Sequence, residues 1–443
     1  MIRQLCAYWV VIIAAALFLN GCGDDKTSNP ASPANASDFT AEVATEWFRL
    51  SYDLGQDESY SPPRASRAFG YAGVALYESV VSGMPGFQSL AGQLNDLGSL
   101  PQATDPPYHW PTVANTSLAT AFAGIFEDSS NATLDAIADF EDSYNTQFKA
   151  ELNDDAVFNR SQSYGQSIGL AILEWSRRDG YTTLHNCDDY APTGLPGHWE
   201  PTPPAFAPAL EPCWGQMRPF ALLAADAFCD PGPPPAYSED PTSQFMIEAM
   251  EVYETVGSLT DEEQTIAEFW ADDPGQTGTP PGHSIMIAVQ VLESDDATLD
   301  AAAETFSKLG MAVADAFIAC WWAKYEYDLI RPITCINELV DPNWDVVVVT
   351  PPFPEYTSGH SVQAGAAAQV LTDLFGDLAF VDKTHAVRGF EDRSFNSFFE
   401  FADEAAISRL YGGIHFRSAI ELGVDQGKCV GQIISALQYR ESI

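Results

Sequence analysis

The residues with the clearest chemical potential lie in the last third of the chain, beginning with two basic side chains. Lys324 and Arg331 are seven residues apart, nearly two helical turns, so a helix would carry both cations on one face. Pro332 disfavours helical backbone at the residue before it, which places Arg331 at the helix C-terminus with its guanidinium facing a cleft. Taken alone the pair is weak evidence, because two solvated surface cations would give the same pattern.

A second group is the Pro-rich loop of residues 351–360, which ends in Ser358-Gly359-His360 and leads into a small-residue segment, 361–369. A loop that feeds a helix N-terminus offers backbone N–H groups and the Ser358 hydroxyl to an anion, and Gly359 allows close approach. His360 could then serve as an acid–base group or simply cap the helix. A solitary Ser-Gly-His would favour capping.

A third group contains Arg409 and His415, separated by two glycines. The glycines should end the helix that carries Arg409, which leaves His415 in the loop before the next helix. A lone loop histidine is usually a surface residue. Together, however, the three groups supply three cations, two histidines, a hydroxyl and a glycine amide at helix ends, which are the groups needed to bind a tetrahedral dianion.

Apolar residues recur at helical spacing through most of the chain, whereas runs typical of strands are scarce, the clearest being residues 346–349. The predicted helices are 39–54, 65–81, 116–126, 132–152, 161–178, 241–256, 262–270, 285–293, 301–329, 361–374, 395–411 and 418–439. The pattern predicts an all-α fold, a large helical bundle with long Pro- and Gly-rich loops that converge on a site.

A long Pro- and Gly-rich stretch, residues 190–235, cannot form regular helix and is expected to wrap over the helices as ordered loop. It divides an N-terminal helical part, 39–235, from a C-terminal helical part, 236–443. The C-terminal part carries all three groups of candidate residues and therefore the oxyanion site.

The charge balance excludes some partners. The chain has 62 acidic and 20 basic residues, a formal net charge of -42. Such a charge repels nucleic acid and anionic membrane surfaces. Nucleic-acid binding is therefore not expected.

The N-terminus is typical of an export signal, with Arg3 before an apolar run, residues 9–19, and the ending Leu19-Asn20-Gly21-Cys22. That ending resembles a bacterial lipoprotein cleavage site. It implies a signal peptide, 1–22, lipid on Cys22 and a polar flexible tether, 23–38. The protein would then be periplasmic or attached to the bacterial outer membrane by that anchor alone. An ordinary signal peptide or a short membrane helix are the alternatives.

Export also affects the interpretation of the cysteines, since an oxidising compartment permits disulfides. The six outside the signal and anchor are Cys187, Cys213, Cys229, Cys320, Cys335 and Cys429. Their spacings fix no pairing, and buried free thiols are an alternative. No Cys-x-x-Cys pair is present, which argues against a zinc site.

The order Lys-x6-Arg-Pro, Ser-Gly-His and Ser-Arg-x5-His resembles the three-part signature shared by vanadium-dependent haloperoxidases and the type 2 phosphatidic acid phosphatase superfamily. The matching residues are Lys324, Arg331, Pro332, Ser358, Gly359, His360, Ser408, Arg409 and His415. Several positions at fixed local spacings must agree, so the signature is highly specific. Residues 269–273 and 278–281 are further similar to a haloperoxidase segment whose aspartate supports the oxyanion-binding arginine. This similarity implies that Asp273 is the partner of Arg409. Bacterial members of the family with similar length and export signals include iodoperoxidases.

One departure from the family pattern concerns the last histidine. The family places an aspartate four residues after it, where this chain has Ala419. The usual carboxylate that orients the histidine is therefore absent at that position, and another acceptor, such as a backbone carbonyl, must fix the His415 tautomer.

The haloperoxidase resemblance implies a vanadate cofactor, with hydrogen peroxide and halide as substrates. It assigns the vanadate oxygens to Lys324, Arg331, Arg409, Ser358 and Gly359, the vanadium to His415, acid–base catalysis to His360, and the halide side to Trp321, Phe353 and Ser361. Lys324 would also polarise the peroxide, and Asp273 would support catalysis through Arg409. Iodide ranks first as the halide and bromide second; the organic acceptor and the oligomeric state stay open.

Two other functions use the same residues. In an acid phosphatase of the same superfamily, His415 would form a phosphohistidine and His360 would protonate the leaving alcohol. A non-catalytic surface lipoprotein would only bind an anion, and would tolerate loss of Lys324, His360 and His415. Peroxide-dependent halide oxidation with and without vanadate, measured beside hydrolysis of a phosphate ester, separates the peroxidase from the phosphatase and both from a non-catalytic protein.

Overall fold

The computed structural model describes residues 34–224 and 229–441. Its α-helices are α1 (Glu42–Asp57), α2 (Pro62–Val80), α3 (Trp110–Ile125), α4 (Asn131–Leu152), α5 (Asp155–Ser176), α6 (Tyr181–Leu184), α7 (Gln244–Val256), α8 (Asp261–Phe269), α9 (Thr279–Ser294), α10 (Leu299–Tyr327), α11 (Pro332–Leu339), α12 (Gly359–Phe375), α13 (Phe398–Tyr411) and α14 (Arg417–Ser435). Within the described residues, the strands β1 (Phe380–Asp382) and β2 (Arg393–Phe395) form one antiparallel pair. The predicted all-α fold is confirmed.

Helix starts follow local capping chemistry. The Ser61, Ser130 and Ser243 hydroxyls each accept a hydrogen bond from a backbone N–H in the first turn of α2, α4 and α7. Thr260 and Glu263 form a reciprocal capping box at the start of α8. These short-range signals fix where the helices begin, and the apolar faces then decide how they pack.

Two helix pairs form the centre of the bundle, and both depend on glycine. A Cβ on Gly73 of α2 would lie 2.3 Å from the Phe306 carbonyl oxygen of α10. Likewise, a Cβ on Gly427 of α14 would lie 2.0 Å from the Val362 carbonyl oxygen of α12. Only glycine permits backbones to approach this closely. The second pair matters for function, because α12 begins at the predicted Ser-Gly-His site.

Three local predictions were wrong or incomplete. Residues 346–349 form no strand; the amides of Val347 and Val348 donate to the Gly412 carbonyl, and Val349 is 60% exposed. The helix that carries Lys324 does not continue to Arg331, because Asp328 adopts a left-handed conformation with φ of 48° directly after α10. A separate helix, α11, then begins at Pro332 with Arg331 as its N-cap residue.

The described part of the 190–235 stretch contains no α-helix and packs as ordered loop, as expected. One disulfide, Cys187–Cys213, closes its first part, and a second, Cys229–Cys429, joins it to α14. Cys320 and Cys335 are buried thiols. Since α2 packs against α10 across the two parts of the chain, the boundary at residue 235 stays a prediction.

The predicted signal peptide, Cys22 and the first part of the tether lie outside the described residues. None of the helices in the described ranges is long and apolar enough to span a membrane.

Candidate active site

Residues of the second and third predicted groups line one cavity of about 240 Å³. Lys324 and Arg331 of the first group do not line it, but they contact two residues that do, Phe353 and His415. α10 contributes Trp321 near its C-terminus, α12 contributes its first two residues, α13 contributes Arg409 and the α13–α14 loop contributes His415. The other walls are the α8–α9 turn, with Asp272 and Asp273, the 348–353 loop, and residues 202–207 with Leu210 from the Pro-rich stretch. Three helix ends and four loops or turns therefore build a single site.

Lys324 and Arg331 are both fully buried rather than extended into an open cleft. The Lys324 ammonium donates to the carbonyl oxygens of Pro354 and Glu355, each at 3.0 Å. The Arg331 guanidinium donates through Nε to Phe353 O (2.8 Å) and through Nη1 to Ile414 O (2.9 Å). Its Nη2 has no protein partner. Backbone carbonyls thus hold both cations in place and leave donor capacity for a ligand.

His415 is oriented by a carboxylate, although Ala419 occupies the family's usual position for one. Its Nδ1 lies 2.8 Å from Glu355 Oε1, which also accepts from the Phe416 amide. Arg331 Nη1 donates to His415 Nε2 at 3.2 Å, so Nε2 carries the lone pair and Nδ1 the proton. The expected replacement acceptor is therefore a carboxylate rather than a backbone carbonyl, since Glu355 reaches the ring from the loop before α12.

Ser358 caps α12, as its hydroxyl accepts from the Ser361 amide at 3.4 Å. His360 bonds the backbone of Trp270, and its Nε2 has no protein partner. The Ser361 hydroxyl is also buried without a partner. The cap of α12 is therefore Ser358 and not His360, so the capping interpretation of His360 is wrong, and its acid–base role stays a prediction that the free ring nitrogen permits.

Arg409 is fully buried at the end of α13. Its Nε donates to Ser408 Oγ and its Nη2 to the Ala267 carbonyl oxygen, each at 2.9 Å. Asp272 and Asp273 interact with Arg409 through longer-range charge, and no ion pair joins either to it among the described residues. The predicted Asp273–Arg409 partnership is thus electrostatic, without a direct contact.

Burial sets the charge state of the site. It lowers the pKa of Lys324 to about 7 and the pKa values of Arg331 and Arg409 to about 10. Burial also raises the pKa of Glu355 to about 8. Burial together with the neighbouring arginines holds the pKa values of both His360 and His415 well below their usual range. Both histidines are therefore neutral, and the buried cations lack a full counter-charge.

The apolar side of the cavity is built on Phe353. Its ring lies 4.9 Å from that of Trp321, and the Lys324 and Arg331 cations lie 4.8 and 4.9 Å from its centroid. Trp321 is fixed by its indole N–H, which donates to Leu210 O at 3.2 Å. The predicted halide-side residues Trp321 and Phe353 thus line the cavity, while Ser361 is buried beside it.

The unsatisfied polar atoms of the site fit a tetrahedral oxyanion such as vanadate. Arg331 Nη2 and Ser361 Oγ are donors without a partner, and His360 Nε2 is a free ring nitrogen. Buried polar groups are normally paired, so such a concentration indicates a missing ligand. A Cβ on Gly359 would stand 3.6 Å from Trp321 and narrow the space. Cationic donors, a free imidazole lone pair and a small residue suit an anionic oxo-metal group.

Sequence reasoning missed two acidic residues of the site, Glu355 and Asp272. Glu355 lies in the Pro-rich loop of residues 351–360. The absence of an aspartate at position 419 could have directed attention to a carboxylate in that loop. Asp273 was predicted to act at the site and its neighbour Asp272 was not, because the spacing of residues in an irregular turn does not show which side chain faces the cavity.

Comparison with known proteins agrees with this geometry. The family model described as the VCPO second helical-bundle domain matches residues 304–343 and 339–441. A bacterial vanadium-dependent iodoperoxidase structure is similar with a TM-score of 0.84 and 37% identity, over 91% of this chain and 98% of that one.

Two more distant relatives support the same fold. A holo-form bacterial vanadium-dependent chloroperoxidase has a TM-score of 0.63 at 15% identity, covering 86% of this chain and 95% of that one. The vanadium chloroperoxidase of Curvularia inaequalis is 24% identical over 34% of this chain, a match that spans only 35% of that protein. The near-complete match at 37% identity, together with the oxyanion-type donor set, decides the assignment. The chain belongs to the vanadium-dependent haloperoxidase family.

Proposed function

We propose that this protein is a vanadate-dependent peroxidase that oxidises iodide with hydrogen peroxide. The observation that carries the proposal is the pair of neutral histidines at one cavity. His415 presents an oriented Nε2 lone pair, and His360 presents an unpartnered Nε2. One histidine can bind a metal while the other moves a proton.

The residues that would hold vanadate are the buried cations and the start of α12. Lys324, Arg331 and Arg409 neutralise the oxyanion charge, and the Ser358 hydroxyl and Gly359 amide donate to its oxygens. His415 Nε2, which accepts from Arg331 Nη1 here, would coordinate the vanadium, with Glu355 keeping the proton on Nδ1. Bound vanadate supplies Lewis-acid activation that makes a peroxide oxygen electrophilic toward halide.

His360 handles the protons. Its bond to the Trp270 backbone leaves Nε2 as the acceptor, and its lowered pKa keeps the ring neutral. It can therefore accept a proton from hydrogen peroxide as peroxide binds and return it to the departing oxygen as halide is oxidised. Lys324, whose pKa of about 7 allows it to carry a proton at neutral pH, stabilises the negative charge that develops on that oxygen.

The choice of iodide rests on the apolar wall and on the relative. Trp321 and Phe353 offer polarisable aromatic faces near cations, which suits a large, weakly hydrated halide. The relative that matches 91% of this chain is an iodoperoxidase. Bromide is the second candidate.

The decisive experiment measures peroxide-dependent oxidation of iodide, bromide and chloride in parallel, with apo-protein and with protein loaded with orthovanadate. We expect oxidation only with vanadate, and a higher kcat/KM for iodide than for bromide. Oxidation independent of vanadate would contradict the proposal, as would a preference for chloride.

The phosphatase alternative is tested on the same preparation with an aryl phosphate ester. The relatives found are haloperoxidases, so this alternative is not favoured. Hydrolysis inhibited by vanadate, without halide oxidation, would nevertheless reassign the chain. Absence of both halide oxidation and ester hydrolysis, in the vanadate-loaded and the vanadium-free proteins, would instead favour the non-catalytic, anion-binding role.

We further propose that the protein is exported and lipid-anchored through Cys22, at the outer membrane or in the periplasm. Two disulfides are consistent with an oxidising compartment. Mass spectrometry of the mature N-terminus tests this proposal: a diacylglyceryl group on Cys22 is expected, and a Cys22→Ser variant should leave the membrane fraction.

A further inference from the structure

A second cluster of buried titratable groups reaches the cavity through Asp272. It consists of two histidines, His283 of α9 and His385, and two carboxylates, Asp272 and Asp382 of β1. All four side chains are at most 1% exposed. Asp272 lies on the cavity wall, and the roles assigned to the active site above make no use of the other three.

The hydrogen bonds of this cluster define its proton count. His283 Nδ1 lies 2.9 Å from Asp272 Oδ2, and His283 Nε2 lies 2.7 Å from Asp382 Oδ2. Because ionised carboxylates only accept, both His283 nitrogens must carry protons. Opposing its burial, the two carboxylates raise the pKa of His283 to about 10, so the ring is an imidazolium at neutral pH.

Asp382, the end of this hydrogen-bonded series that lies away from the cavity, is also fixed. Asp382 Oδ1 accepts from the Thr384 amide at 2.9 Å and from the Thr384 hydroxyl at 2.6 Å. The pKa of Asp382 falls to about 2, because the His283 charge and these hydrogen bonds outweigh burial. The side chains of Asp382, His283 and Asp272 are therefore all ionised. They form a hydrogen-bonded series whose Asp382 end is anchored next to β1.

The Asp272 end of the hydrogen-bonded series lies in the turn of residues 270–272, and this turn contacts His360. Trp270 stacks on the His283 ring with centroids 4.5 Å apart, and its backbone bonds His360. Asp272 itself has a φ of 48°, a left-handed conformation that a non-glycine residue keeps only when its surroundings hold it. His283 thus clamps the turn of residues 270–272 from two sides, through a ring stack and an ion pair.

We propose that His283 is a positioning residue for the peroxidase site, an imidazolium that fixes the 270–272 turn between Asp382 and the cavity and thereby orients His360. The inference rests on the proposed function for the identity of the reaction. His283 touches no substrate; it acts through Trp270 and Asp272.

A structural metal is the competing explanation for the same residues. One ligand atom from each of Asp272, His283 and His385 lies within 4.8 Å of the others. However, both His283 nitrogens already face carboxylates at hydrogen-bond distances, and a metal would have to displace those protons. Elemental analysis of the purified full chain should find no stoichiometric metal other than added vanadium, and finding a divalent metal would overturn the proposal.

The test compares one substitution at two histidines. His385 is as buried as His283, yet it bonds Asp272 alone, through Nε2 at 2.9 Å, and its Nδ1 has no partner. His385→Gln keeps one donor for Asp272, whereas His283→Gln cannot donate from both ring-nitrogen positions or carry the positive charge. We expect His283→Gln to lower kcat about tenfold or more with KM for iodide nearly unchanged, and His385→Gln to change kcat less than about threefold.

Two readouts independent of turnover accompany these rates. Nitrogen-15 NMR of the vanadium-free full chain should show a histidine with both ring nitrogens protonated at pH 8, a signal lost in His283→Gln and kept in His385→Gln. Inorganic phosphate binding to the same vanadium-free proteins should weaken in His283→Gln only.

Each outcome bears on the proposal separately from the peroxidase assignment. Equal kcat losses in the two variants would indicate that packing alone matters and would overturn the positioning role. A neutral His283 ring in the NMR experiment would do the same. If wild-type protein lacks peroxidase activity while the NMR and phosphate results hold, the proposed function fails and the clamp on the anion site stands.

Discussion

The two buried histidine clusters of this protein lie against the same cavity but satisfy their charges differently. In the Asp272–His283–Asp382 chain every ring nitrogen and carboxylate oxygen has a partner within the protein, although Nδ1 of the adjoining His385 has none. In the cation cluster around His415, by contrast, Arg331 Nη2 and His360 Nε2 have none. Complete pairing indicates a scaffold, whereas an excess of donors indicates a ligand that the chain alone does not provide.

The pKa shifts also distinguish a cluster whose charges stabilise each other from one that lacks a counter-charge. His283 and Asp382 stabilise each other's charges, so the pKa of the histidine rises to about 10 and that of the aspartate falls to about 2. In the cation cluster burial prevails, and it lowers the pKa of Lys324 to about 7. Binding a dianion would restore the charged state of Lys324, which couples cofactor binding to proton uptake.

The largest effect is expected from replacing His360, the histidine of the cation cluster whose Nε2 has no partner. His360→Ala should lower kcat by a factor of about 100 to 10,000, the usual contribution of a positioned acid–base group. Steady-state iodide oxidation measures the loss, and circular dichroism verifies the fold. The matched control is His109→Gln, at a buried histidine that bonds Thr112 outside the cavity. Wild-type turnover in His360→Ala would exclude the assigned role.

The second prediction concerns the carboxylate that orients His415. Glu355→Gln keeps the shape of the side chain but weakens acceptance from His415 Nδ1, so vanadate affinity should fall about 10- to 100-fold. Reconstitution of activity by titrated vanadate measures it. Glu248→Gln is the control, since Glu248 is a buried carboxylate that instead accepts from Ser418 at the start of α14. Unchanged affinity in Glu355→Gln would mean that His415 does not bind the cofactor.

The third prediction uses pH to distinguish the two histidines bonded to Asp272. The pKa of His283 is raised from 6.5 to about 10, so its stabilising contribution is complete below pH 6.5 and is lost as pH rises toward 10. The pKa of His385 is instead lowered, so its contribution to stability is complete above pH 6.5 and is lost as pH falls below that value. Urea unfolding should therefore show the deficit of His283→Gln shrinking from pH 6 to 10. Relative to wild type, His385→Gln should lose stability over that interval. Parallel trends would contradict the assigned charge states.

Much of the site was predictable because its groups stand next to strong local signals. Pro332, the Ser-Gly-His motif and the double glycine mark helix ends, and helix ends are where the structure places Arg331, His360 and His415. The all-α fold followed equally from apolar periodicity. These signals act over a few residues, so one sequence is enough to detect them.

What escaped prediction depends on contacts between distant segments. The Glu355–His415 bond spans 60 residues and the His283–Asp382 bond spans 99. No local sequence pattern indicates either of these two hydrogen-bonded pairs. The break after α10 was missed for a different reason: a left-handed Asp328 ends the helix before Pro332 can, and aspartate seldom signals this conformation.

The smallest predicted effect separates the two adjacent aspartates of the α8–α9 turn. Asp273 lines the cavity but makes no ion pair with Arg409, whose pKa of about 10 keeps it charged at neutral pH. Asp273→Asn removes a repulsive charge from an anion site and a distant attraction from Arg409, two effects that largely cancel. Phosphate affinity of the vanadium-free protein should therefore change by less than about threefold, measured by calorimetry. Asp272→Asn is the comparison, and it should weaken phosphate binding more because it breaks the bond to His283. If Asp273→Asn were instead the more damaging change, Asp273 would have to close onto Arg409 when an anion binds, and the turn clamped by His283 would be a moving part rather than a fixed one.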